Sequence, residues 1–207
     1  MSEAVRLAYE AKAEEYAGRF GTLAAVNQLD RTLVTAWAQG ISGNILDAGC
    51  GPGHWTGFLK DQGCDVEGVD LVQRFVDAAR RSFPQAVFRR ASLDNLGAGD
   101  GHLAGILAWY SLIHLSPGEL QCALAEFARC LSPGGSVLLG FFDGPAGETF
   151  PHAVAPAYTW SVDRMRSELA AAGLEVAEAH VRGDPGNRPH AAVVAHKSVV
   201  REGLESR

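Results

Sequence analysis

Cysteine is scarce in this chain, basic residues are outnumbered, and no apolar run is long enough to cross a bilayer. The four cysteines (Cys50, Cys64, Cys122 and Cys130) show no C-x-x-C pairing and no histidine partner at zinc spacing. A disulfide scaffold and a zinc centre are therefore not expected, and a reduced, cytoplasmic, metal-free protein is. The N-terminus is acidic and lacks the apolar segment of a secretory signal. Lysine and arginine total 18 against 24 acids, a formal charge of -6, which offers no general attraction to nucleic acid. Arg80-Arg81 and Arg89-Arg90 are the only basic pairs and read as solvated faces. Internal repeats are absent, as is any sequence-evident catalytic dyad. No membrane partner is expected, and oligomeric state is not legible.

What is present is a chain 47% hydrophobic over 207 residues, enough for one domain with a substantial core. Its most informative stretch is Asn44-Ile-Leu-Asp-Ala-Gly-Cys-Gly-Pro-Gly-His54. Ile45, Leu46 and Ala48 form a short apolar run with Asp47 near its end, and Gly49, Gly51 and Gly53 follow at alternate positions. The pattern reads as a buried strand entering a tight glycine turn, where a backbone without Cβ atoms can press against a ligand. Trp55, Phe58 and Leu59 begin a helical pattern at once, so free helix N–H groups would face that ligand. A second strand pattern ends in Asp70, 19 residues after Gly51. An acid at that offset is placed to grip the two hydroxyls of a ribose.

A dinucleotide fingerprint, G-x-G-x-x-G, requires a third glycine that here would fall on His54 or Thr56. Neither register fits, which disfavours a nicotinamide-dependent oxidoreductase. Asp47 at the mouth of the turn would repel a pyrophosphate and suits an ammonium group. S-adenosylmethionine has adenosine, no phosphate and an α-amino group. The alternative for Asp47 is a simple cap on the next helix.

Ile45-Leu-Asp-Ala-Gly-Cys-Gly-Pro-Gly53 resembles motif I of the class I S-adenosylmethionine-dependent methyltransferases, and Gly68-Val-Asp70 resembles the acidic end of their second strand. The likeness continues through Ala91-Ser-Leu93, Ile106 to Leu115, and Leu131-Ser-Pro-Gly-Gly-Ser-Val-Leu-Leu139. It covers roughly residues 40 to 142 and is specific for the cofactor, not for the methyl acceptor. The resemblance implies a small-molecule methyltransferase with S-adenosylhomocysteine as product. A protein that binds the same compound without turnover is the alternative.

Along the chain, helices are expected near 3–17, 23–40, 53–62, 71–82, 117–131 and 161–172. Strands are expected near 44–48, 65–70, 86–91, 103–109, 136–142, 174–182 and 188–196. The alternation predicts an α/β fold: a Rossmann-like doubly wound sheet of about seven strands with helices on both faces. The last two strands are joined only by Gly183-Asp-Pro-Gly-Asn187, too short for a parallel crossover, so one strand near the C-terminal edge must be antiparallel. Residues 1–197 form a single domain on this reading, with 1–40 as a helical cap and 198–207 as a charged tail. Residues 143–160 leave the ligand-binding edge of the sheet as a long loop without regular structure, expected either to select the acceptor or to be a partly ordered insertion.

For the cofactor, Asp47, Gly49, Gly51, Gly53 and Asp70 would hold the methionine and ribose portions, with Cys50, His54 and Trp55 beside them. Leu71 and Leu93 suit the adenine faces, and Ser92 its edge, where the family more often has Asp. Tyr9 and Tyr16 lie on one helix face and either fold over the cofactor, as in similar small-molecule methyltransferases, or only pack. His114 is either a general base or a structural hydrogen-bonder. Trp109 and Tyr110 are placed to wall the site, Trp109 alternatively as core. Tyr158, Trp160, Arg188 and His190 form a looser acceptor set, Arg188 and His190 being suited to an anionic group.

Overall fold

The computed structural model describes residues 3–183, 186 and 188–199. Its strands are β1 (Ile45–Ala48), β2 (Val66–Asp70), β3 (Val87–Arg90), β4 (Leu103–Trp109), β5 (Leu131–Phe142), β6 (Thr149–Phe150), β7 (Ala157–Tyr158), β8 (Leu174–Arg182) and β9 (His190–Lys197). The α-helices are α1 (Glu3–Phe20), α2 (Gln28–Gln39), α3 (His54–Asp61), α4 (Gln73–Ser82), α5 (Pro117–Cys130) and α6 (Val162–Ala171).

Seven strands form one sheet in the order β3-β2-β1-β4-β5-β9-β8. Strands β3, β2, β1, β4 and β5 pair in parallel, and β9 runs antiparallel to both β5 and β8. The reversed strand follows from the short β8–β9 connection. β1 is buried at every residue, as a parallel strand covered on both faces must be. β8, at the sheet edge, is largely exposed and carries Glu175, Glu178 and Arg182, charges that suppress edge pairing with other chains. Leu124, Phe127 and Leu169 lie in one core cluster and Val34, Trp37 and Leu59 in another. The Trp37 indole N–H donates to Ser136 Oγ at 2.9 Å, which satisfies a buried donor.

Chain reversal comes between β1 and β4: β1 leads outward through α3 to β2, whereas β4 leads the other way to β5. At such a point the loops part and leave a crevice outside the carboxyl ends of the strands. Asp47, Asp70 and Trp109 lie at or next to those ends.

The main departures from expectation lie in α2, β5 and the 143–160 loop. α2 begins at Gln28 instead of Leu23, because Asn27 caps it by accepting the Leu29 N–H at 2.9 Å, and Leu23–Ala25 form a separate 3-10 turn. β5 begins at Leu131, directly off α5, with an irregular register between Leu103 and Gly105. The loop expected to lack regular structure holds the short β6–β7 pair, and a bridge from Asp143 to Trp160 closes its base. Of the expected tail and final turn, residues 200–207, 184, 185 and 187 lie outside the described residues.

Candidate active site

The glycine turn reads directly off β1. Gly49 and Cys50 N–H both donate to the Val69 carbonyl, at 2.8 and 2.9 Å, which pins the turn to β2. Gly49 and Gly51 have φ of +81° and +54°, values that L side chains avoid. Their surroundings differ. A Cβ on Gly49 would lie 2.3 Å from Ser111 Cβ, so packing within the protein demands that glycine. A Cβ on Gly51 would meet nothing within 4 Å and would project into open space. Gly53, also left-handed, forms the N-cap of α3.

Asp70 closes the turn from the other side. Its two carboxylate oxygens accept from Gly51 N–H at 2.9 Å and Val72 N–H at 2.8 Å, and a carboxylate so held keeps further lone pairs for a ligand. Asp47 is 2% exposed and accepts from the Thr56 hydroxyl at 2.6 Å, in the first turn of α3. Burial pushes both acids up, Asp47 to about 7 and Asp70 to about 6. Neither is ion-paired with a lysine or arginine among the described residues. Two buried carboxylates without a cation make a site that favours a positively charged ligand.

Beside Asp70 lies a cavity that opens to solvent. Gly49, Gly51 and Asp70 line its floor, Leu71, Ser92 and Leu93 one wall, and Trp109, Tyr110 and His114 another. Tyr9 and Tyr16 of α1 roof it, packed edge-on at 5.4 Å and both against Phe75 of α4. Burial pushes the Tyr16 phenol up to about 12 and raises Tyr9 further, so both stay neutral donors. An adjoining cavity is lined by Asp47, Cys50, His54 and Trp55 on one side and by Phe142, His152 and His190 on the other. Tyr110 lines both. Buried Ser111 Oγ, His54 Nδ1, Trp55 Nε1 and His152 Nδ1 lie on these walls without a hydrogen-bond partner among the described residues. Orphaned polar atoms of this kind call for a partner from outside the chain, a water or a ligand.

His114 is fully engaged. Its Nδ1 lies 2.8 Å from the Pro156 carbonyl, which can only accept, so Nδ1 carries the proton. Nε2 then accepts from the Tyr9 hydroxyl at 2.8 Å. Burial lowers the imidazole to about 4. This one side chain ties α1 to the 143–160 loop, and Lys12 adds a second tie by donating to the Ala153 carbonyl at 2.8 Å. The loop and the helical cap thus close on each other over the sheet edge.

Of the looser acceptor set, His190 lines the second of these cavities, where Tyr110 Oη lies 2.5 Å from its Nδ1. Trp160 is 2% exposed and belongs to the central core, a correction to its expected place beside the acceptor. Tyr158 packs half-buried on the same core and donates its N–H to the Ile113 carbonyl. Arg188 is exposed, its guanidinium 3.8 Å over the Phe150 ring. Sequence reasoning missed Phe75, Ser111, Phe142 and His152. It also missed the Asp30–Arg182 ion pair, which joins α2 to β8 at the margin of the second cavity. His152 had a readable signal, a histidine within the long loop; a pair 152 residues apart had none.

Comparison with known proteins agrees with this geometry. Residues 45–135 match the methyltransferase-domain family. Over 91 residues the chain is 33% identical to a malonyl-[acyl-carrier protein] O-methyltransferase of Enterobacter lignolyticus, covering 44% of this chain and 36% of that protein. The chain spans half or less of the length of the first curated relatives it matches. A TehB-like S-adenosylmethionine-dependent methyltransferase from Corynebacterium glutamicum superimposes with a TM-score of 0.70 at 27% identity, over 91% of this chain and 99% of that one. The Burkholderia thailandensis 1,6-didemethyltoxoflavin-N1-methyltransferase, solved with its acceptor and S-adenosylhomocysteine, gives 0.77 at 21% identity over 94% and 88%. Residues 45–135 are thus similar to the methyltransferase-domain family, and the glycine turn, paired acids and strand order give the chain a fold similar to that of S-adenosylmethionine-dependent methyltransferases.

Proposed function

We propose that this protein transfers the methyl group of S-adenosylmethionine to a small-molecule acceptor. The carrying observation is the pair of buried, cation-free carboxylates flanking a glycine whose missing Cβ opens on the cavity. When bound, the sulfonium supplies an electrophilic methyl group. The chain's own residues bind, orient and exclude water. Asp70 would accept from the ribose hydroxyls, Asp47 would face the ammonium, and Leu71, Ser92 and Leu93 would receive adenine. Tyr9 and Tyr16 shut the roof, while His114 holds that roof to the loop. Displacement on a charged sulfonium gains mainly from alignment and desolvation.

The acidic balance of the chain supports a small acceptor over nucleic acid. Four unpaired cysteines fit a reducing, cytoplasmic setting, and no helix among the described residues is long and apolar enough to cross a membrane. Titration calorimetry with S-adenosylhomocysteine should show stoichiometric binding, and an acceptor library should then release S-adenosylhomocysteine from S-adenosylmethionine. Absence of binding overturns the reading. Binding without turnover on any acceptor favours a sensor of the compound instead.

A further inference from the structure

Tyr110 is the only non-glycine among the described residues with a left-handed backbone, at φ 57°. That conformation is strained for an L-residue, and such strain collects at functional positions. It falls immediately after β4, where Tyr110 N–H still donates to the Gly140 carbonyl at 3.0 Å. The side chain stands where the two cavities meet.

The sheet brings its partner from far away. His190 opens β9, opposite Phe142 at the end of β5, and so arrives at the same edge as the end of β4. Tyr110 Oη and His190 Nδ1 are 2.5 Å apart, with the rings edge-on at 86°. Phe142 packs against both, its centroid 5.1 Å from Tyr110 and 5.5 Å from His190. Trp55, Ile113 and His152 complete the walls of the space in front of them. Arg182 at its margin is already ion-paired with Asp30, so the space holds a hydrogen-bonded phenol–imidazole pair beside the flat rings of Trp55 and Phe142, with Asp47, His54 and His152 also on its walls and without surplus positive charge from that arginine.

We propose that Tyr110 and His190 together receive the proton of a planar acceptor bearing a weakly acidic O–H or N–H on an aromatic ring. The inference rests on the methyl-transfer reading and names its substrate class. With Tyr110 donating to His190 Nδ1, the acceptor's X–H bond breaks toward Tyr110 Oη as the phenol's own proton passes to Nδ1. The electron pair stays on X, Tyr110 ends neutral, and His190 ends as imidazolium. His114 holds the Pro156 carbonyl through Nδ1–H and accepts from Tyr9 at Nε2, and burial lowers it to about 4, so it resists taking up a proton and its role is to position the roof and the loop.

The test uses the whole chain saturated with S-adenosylhomocysteine, with 4-nitrophenol as the probe because only its anion absorbs visible light strongly. The wild type should bind the phenol and raise its ionised fraction at a pH where the free compound is mostly neutral. Tyr110→Phe should abolish that gain. His190→Asn can still accept the Tyr110 hydroxyl but cannot take its proton, so binding should survive while the ionisation gain is lost. With any phenolic acceptor found to turn over, both variants should lower kcat by about 100-fold with little change in KM. Cofactor affinity, measured separately by calorimetry, should stay at the wild-type value. Ionisation undiminished in His190→Asn, or no ionisation gain in the wild type, overturns the pair's role. Failure of S-adenosylhomocysteine to bind any form overturns the proposed function instead. Should Tyr110→Phe melt early, His190→Asn alone decides.

Discussion

Replacing Asp47 with Asn should stabilise the free protein at pH 8 while weakening its hold on the cofactor. Asp47 is buried, and desolvation raises it to about 7 despite the favourable Thr56 hydroxyl. An unfolded aspartate ionises near its ordinary value of 3.8. Between those two values the folded state binds more protons than the unfolded state, so stability falls as pH rises through this window. About three pH units correspond to roughly 4 kcal/mol lost above neutrality. Asn keeps an oxygen for Thr56 but adds an amide N–H pair that needs partners, which takes back about 1–3 kcal/mol. The net gain at pH 8 should therefore be about 2 kcal/mol. Urea denaturation followed by tryptophan fluorescence at pH 5 and pH 8 reads it directly. Wild type should weaken between the two and the Asp47→Asn variant much less so, while Asp70 contributes the same sign over a narrower window ending near 6. Equal or lower stability of Asp47→Asn at pH 8, with a slope parallel to wild type, would refute the claim that this charge is buried uncompensated. Calorimetry with S-adenosylhomocysteine on the same samples should show the opposite trend, weaker binding in the variant.

Gly49→Ala should destabilise the fold by about 2–3 kcal/mol, because its Cβ is driven into Ser111, while Gly51→Ala should cost only about 1 kcal/mol yet impair cofactor binding more; melting curves and calorimetry separate the two. Asp70→Asn should weaken S-adenosylhomocysteine binding by about 10- to 100-fold, the worth of a charge-assisted hydrogen bond, and unchanged affinity would remove Asp70 from the ribose site. Tyr9→Phe leaves His114 Nε2 without its donor and should loosen the helical cap by about 1–3 kcal/mol. Hydrogen exchange should then quicken in α1 and around Pro156 with little change in β1 or β4.

Local pattern carried most of the frame. The run from Ile45 to Gly53 announced a strand, a turn and a helix because apolar periodicity and glycine φ preference act within a few residues. The Glu119 carboxylate accepting the Ser116 N–H at 2.9 Å is a similarly local event, readable from the Ser-Pro-Gly-Glu order. Boundaries were less legible where two local signals compete. The apolar residues from Leu23 suggested one long helix, and Asn27 broke it by offering a better cap. Trp160 shows the same limit in burial: an aromatic in a loop reads as a site residue until the fold draws it into the core.

Chain order alone therefore determined the α/β alternation, the reversed strand near the edge, the glycine turn and the acid at the end of β2, since each depends on spacing along the backbone. Only the tertiary structure decided that Tyr9 and Pro156 clasp His114, that Tyr110 meets His190, and that Asp30 meets Arg182. Those contacts join residues 42 to 152 positions apart. They exist because the β3-β2-β1-β4-β5-β9-β8 order brings separate strand ends to one edge, and no periodicity in the sequence encodes that convergence.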